Sequence, residues 1–190
     1  MRRYAKRFRE LLTTRHDDGV AAVEFALLCP VFVLILAGIV DLGGVVSTRF
    51  RLDTAVAAAS NYVLVNATQV SSTAGATLAS NLASIVTTSD TTSTANATVV
   101  VNDGPTVTVA SGTSTSSGTA ASADLCYCPT GTASSLTWGS SVTCGSTCTS
   151  GAIAGKFVQI SVNYTYLPVF SDYNFINGGV VYSSALVQAQ

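Results

Sequence analysis

With 190 residues, only 10% of them charged, and a mean hydropathy of +0.45, the chain has room for one modest domain plus a single apolar anchor, which excludes a multi-pass membrane protein. Its net charge of −1 conceals an asymmetry: residues 1–19 hold six of the nine basic residues, and from Val20 onward Arg49, Arg51 and Lys156 face seven acids. The single histidine, His16, lies in that basic tail, so the rest of the chain has no histidine for a Ser-His-Asp or Cys-His arrangement; there is also no P-loop or G-x-G-x-x-G, and no enzymatic activity, cofactor or metal is expected.

Residues 1–19 read as a basic leader. Such a tail can bind nucleic acid, but this one is short, carries only Tyr4 and Phe8 as aromatics, and abuts an apolar run; it is read as a membrane flank with no nucleic-acid partner. Residues 20–46, Val20 to Val46, form the membrane-grade segment, longer than the ~20 residues a bilayer needs. Short Lys/Arg-rich flanks stay on the cytoplasmic side. The expected topology is therefore single-pass, with the N-terminus inside and the bulk of the chain outside. Pro30 should bend the helix locally. Asp41, separated from Glu24 by sixteen residues without a charge, reads as the outer membrane boundary, and Cys29 as a small apolar residue. Gly43 and Ser47 have the small-x-x-x-small spacing that lets another helix approach.

The helix is expected to continue outside the membrane as an amphipathic stalk over 47–70. Leu52, Val56, Ala59 and Val63 fall on one face and Arg51, Thr54, Ala58 and Asn61 on the other. From Val20 to about Val65 such a helix would be about 70 Å long. Residues 71–190 then read as a small α+β domain. A second helix is predicted at 76–87, with Leu78, Leu82 and Ile85 inward and Ser72 or Thr73 near its cap. A hairpin follows, with strands at 97–101 and 106–110 around Asn102-Asp103-Gly104-Pro105, where Asp-Gly is the turn signal. Low-complexity residues 111–123 are expected to be a mobile loop.

Residues 124–150 are a cysteine-rich loop containing Cys126, Cys128, Cys144 and Cys148 and the single tryptophan, Trp138. Four clustered cysteines on an exported domain suggest two disulfides, for which three pairings exist. Cys126 and Cys128 make an awkward local pair, so both bridges should cross between the clusters. Zinc would usually show C-x-x-C knuckles, which are absent. The clearest strand is 156–166, where Val158, Ile160, Val162, Tyr164 and Tyr166 alternate with polar residues. Pro168 ends it, and a last strand at about 179–188 follows the Asn177-Gly178-Gly179 turn. The fold class is α+β: a long N-terminal transmembrane helix continuing into a stalk, packed on a small antiparallel sheet with a disulfide-pinned loop.

The acid inside the apolar segment needs a reason, because a carboxylate at the bilayer centre costs about 2.5–3.5 kcal/mol on insertion scales. Near the cytoplasmic interface an intact chain could let Glu24 reach water. Cleavage between Gly19 and Val20 offers another: it would create an amine four residues before Glu24, and positions four apart on a helix are neighbours. The same pair could form between stacked subunits. The basic leader, the terminal leader glycine, Glu24 and Phe25 then match the layout of type IV prepilin-like proteins. More closely, residues 19–63 resemble the TadE-like pseudopilins of tight-adherence (Flp-type) pilus systems. The likeness is carried by Ala-Ala-Val-Glu-Phe-Ala-Leu, by Pro30 six residues after Glu24, by Gly38, Ile39, Asp41 and Gly43, and by the Arg51–Ala59 run.

This resemblance implies a minor pilin-like subunit that initiates or assists pilus assembly. Its partners would be a prepilin peptidase recognising Glu24 and Phe25, other pilin and pseudopilin subunits, the inner-membrane assembly platform and membrane lipid. Related TadG-like proteins carry a long extra domain for which this chain has no room. Two other readings compete. An uncleaved single-pass protein would display the disulfide-bonded domain as a binding or adhesin module. A secreted module would be cut near Ala57-x-Ala59, but that pattern lies beyond the apolar run and past Arg49, Arg51 and Asp53. Three Asn-x-Thr triplets, at Asn66, Asn96 and Asn163, are read as coincidence in a Thr-rich chain.

Overall fold

The computed structural model describes residues 17–88, 95–168 and 179–190; His16, Asp90 and most of the Asn177-Gly178-Gly179 turn lie outside them. The chain divides into two compact units, Met1–Gly43 and Gly44–Gln190. Helix α1, Asp17–Val65, runs through the division with Pro30 inside it. In the first unit its side chains are largely exposed, Phe25 at 71% and Leu27 at 72% among them. An apolar helix with no protein around it calls for a non-aqueous environment or partner helices.

In the second unit the helical periodicity becomes amphipathic. Leu52, Ala55, Val56, Ala59 and Val63 are buried, whereas Arg51, Thr54, Ala58 and Asn61 face outward. Asn66 closes the helix, its side-chain NH2 donating to the Tyr62 carbonyl at 2.9 Å. A short 3-10 turn, Ala67–Gln69, leads to buried Val70. Helix α2, Gly75–Thr88, buries Leu78, Ala79, Leu82, Ala83 and Val86. The capping hydroxyl is that of Ser71, which accepts from the Ala74 N–H at 3.3 Å; Ser72 and Thr73 were the expected candidates.

Five antiparallel strands form the main sheet in the order β3-β2-β1-β6-β7: β1 Ala95–Val101, β2 Thr106–Ala110, β3 Thr113–Ser117, β6 Phe157–Thr165 and β7 Val180–Gln188. β1 alternates strictly between buried and half-buried positions, and Val158, Ile160 and Val162 of β6 continue the same buried face. Helix α2 and residues 52–63 of α1 contribute to one core with that face. Truncating a fully buried leucine there, Leu78 or Leu82, would cost about 2–5 kcal/mol.

The β1–β2 turn falls at Asn102-Asp103-Gly104-Pro105 as expected, with Asn102 (φ 55°) and Asp103 (φ 53°) as its left-handed residues. The Gly104 N–H bonds to the Val101 carbonyl at 2.9 Å, closing a primed turn. Gly104 is needed for close approach: a Cβ there would lie 2.9 Å from the Thr119 carbonyl oxygen. Residues 111–123, expected as a loop, instead contain a strand and most of a 3-10 turn. Ser111 (φ 50°) and Gly112 (φ 79°) make a two-residue turn, and Thr113–Ser117 pairs with β2 along its length. A Ser/Thr tract can serve as an edge strand because every residue of β3 is solvent-exposed and none must fill a core. A second 3-10 turn, Ala120–Asp124, follows.

The cysteine-rich region holds a small hairpin, β4 Thr130–Thr132 with β5 Ser135–Thr137. Both disulfides cross between the clusters as expected, pairing Cys126 with Cys144 and Cys128 with Cys148. Tyr127 is buried and meets Trp138 edge-to-face with ring centroids 5.9 Å apart.

Candidate functional site

The candidate site is the start of α1. The helix runs unbroken from Asp17 to Val65, so Gly19, Val20, Glu24 and Phe25 all lie in its first turns. Val20 and Glu24 are four apart and share a face. Both are exposed, Val20 at 57%, and Phe25 protrudes at 71%. Among the described residues, nothing beyond its chain neighbours and the helix's own backbone lies within 4 Å of the position a Gly19 side chain would take. The arrangement therefore offers an accessible small residue, an exposed carboxylate one turn on, and an exposed aromatic next to it.

Further along the same helix, Phe25, Ala26, Cys29, Pro30, Val33 and Leu34 line a shallow apolar depression. Cys29 carries the remaining free thiol, half-buried among those apolar neighbours. Asp41 is fully buried and engaged by a partner. Gly43 has nothing within 4 Å, whereas a Cβ on the next residue, Gly44, would collide with the Tyr166 hydroxyl. The closely approached glycine is thus Gly44, the residue after Gly43. Arg49 and Asp53 form an exposed ion pair at 3.3 Å, and Asp53 also accepts from the Ser183 hydroxyl of β7 at 2.6 Å.

Three residues that organise the second unit have roles the sequence reading did not find. Asn102 is fully buried. Its NH2 donates to the carbonyls of Ser122, Ala123 and Leu125 at 3.1, 3.2 and 2.6 Å, and its carbonyl accepts from the Phe157 N–H at 3.1 Å. It ties the β1–β2 turn to the entrance of the cysteine-rich region and to β6. The Lys156 ammonium donates to the Val70 carbonyl at 3.0 Å. Asp124 accepts from the Ser72 N–H at 2.9 Å, and the Ser72 hydrogen bonds, aided by nearby Lys156, hold its carboxyl below the usual aspartate range. The signal for Asn102 was its place in an Asn-Asp-Gly turn, but nothing in the sequence marked it as buried.

The family model described as TadE-like protein matches residues 19–61, which begin at the candidate leader glycine and end within the amphipathic half of α1. No curated protein and no solved structure matches the chain. The match supports a protein associated with a Tad pilus, and together with the apolar helix Gly19–Val65 it supports a membrane-anchored one.

Proposed function

We propose that the chain, TadE-like over residues 19–61, is a minor pilin-like subunit taking part in the initiation or assembly of a tight-adherence (Flp-type) pilus. The observation that carries the reading is the coincidence of the family match with an open Gly19–Val20 junction followed one helical turn later by the exposed Glu24 carboxylate. A prepilin peptidase cuts after Gly19. The new Val20 amine is then placed beside Glu24, and the two charges neutralise each other within one subunit or between stacked subunits. The leader stays cytoplasmic because of its Arg and Lys residues, and the disulfide-bonded domain is periplasmic. Other pilin subunits and the inner-membrane assembly platform meet the exposed apolar helix.

Two variants test this. Gly19→Phe should leave uncut precursor on a gel, and a product of mature size would remove the cleavage-site assignment. Glu24→Ala should still insert into the inner membrane but abolish piliation; unchanged piliation would remove the role given to its carboxylate.

A further inference from the structure

The sheet has two faces, and only one is used by the core. On the other, Thr115, Thr108, Thr98, Ser161 and Ser184 stand directly opposite one another across all five strands. This makes a row of hydroxyls with a spacing of about 4.8 Å from strand to strand. In the neighbouring row Asn96, Asn163 and Tyr182 are cross-strand partners. Asn96 donates to Asn163 at 3.3 Å and accepts from the Ser111 N–H at 3.1 Å, which fixes both amides, and the Tyr182 ring is 59% exposed beside them. No residue of this face carries a charge in any of the five strands, and neither does any residue from 125 to 155.

That absence of charge selects the partner. Surfaces for nucleic acid or anionic lipid require Lys or Arg. A dimer interface between copies would need about 800 Å² per partner with an apolar centre, and this face is mainly hydroxyl and amide. Hydroxyls and amides both donate and accept, as sugar hydroxyls do. An exposed tyrosine adds a flat apolar ring for the C–H face of a pyranose. We propose that the outer face of the sheet binds a neutral polysaccharide, with Tyr182 stacking on one sugar and Asn96, Asn163 and the Ser161–Ser184 row holding its hydroxyls.

The test uses the full-length protein in a non-glycosidic detergent, incubated with microcrystalline cellulose and with dextran as neutral probes and with heparin as a polyanion. Retention on a neutral polymer that survives about 1 M NaCl is expected, because no ion pair is involved. Tyr182→Ala should weaken retention about tenfold and Tyr182→Phe should preserve it, since only the ring is required. Unchanged Trp138 fluorescence in both variants confirms that the fold is intact. Failure to be retained on either neutral polymer, or equal retention of Tyr182→Ala, overturns the proposal. So does binding confined to heparin and lost in salt. A Tyr182→Ala variant that changes the sedimenting mass but not retention would assign the face to contacts between copies instead.

Discussion

Replacing Asn102 with alanine should be among the most damaging single changes in the second unit. The two N–H groups of its amide serve three carbonyls, and its oxygen serves the buried Phe157 N–H, so about three hydrogen bonds disappear together. Each contributes about 1 kcal/mol net, and the abandoned buried partners add a desolvation term. Asn102 also holds φ at 55°, where asparagine is tolerated and alanine is disfavoured by about 1 kcal/mol. The expected loss is about 4 kcal/mol, a large share of the 5–15 kcal/mol of a typical domain. Asn102→Asp should be no better, because it sets a carboxylate against three carbonyl oxygens. The assay is urea unfolding of the full chain in detergent, followed by Trp138 fluorescence and by near-UV CD. Loss of less than about 1 kcal/mol, with an unchanged dependence on urea, would refute the assignment of Asn102 as the clamp between hairpin, cysteine-rich region and β6.

Two further predictions concern the same unit. Because the Asp124 carboxyl is held below its ordinary value when folded, it adds stability at neutral pH that is lost as the pH falls below about 4, through the depressed value. The Asp124→Asn variant should show a shallower loss of urea midpoint between about pH 5 and pH 2, and parallel profiles would contradict this. Replacing Cys128 and Cys148 together with serine opens a bridge spanning 20 residues and should cost about 3 kcal/mol, read as a lower melting temperature; an unchanged value would mean that the cysteine-rich region adds no stability through that link.

The helices and the long strands were legible because their periodicities are simple and local. Leu52, Val56, Ala59 and Val63 repeat at helical spacing, and Val158, Ile160 and Val162 alternate, so each pattern states which face is buried. The crossed disulfides were legible from the cramped Cys126–Cys128 spacing, though not which of the two crossed pairings forms. β3 was missed because a Ser/Thr tract exposed on both faces has no alternation to read, and its strand character comes from pairing with β2. The Asn102 clamp, the Lys156–Val70 bond and the Asp124–Ser72 bond were invisible for a different reason: each joins positions 20 or more residues apart, and no local pattern encodes such contacts. At the candidate site the residues were legible from their order alone, since Gly19, Val20, Glu24 and Phe25 lie within seven consecutive positions.

Pilin-like processing would break one bond, between Gly19 and Val20. Intact-mass and N-terminal peptide analysis of the protein purified from membranes of a piliated strain measures it directly. The reading predicts a chain that begins at Val20, with the nineteen leader residues absent and all four of Cys126, Cys128, Cys144 and Cys148 oxidised. A chain that still begins at Met1 would contradict it and leave the anchored display protein as the better description, and a start near Ser60 would mean that the domain is released by an ordinary secretory cut.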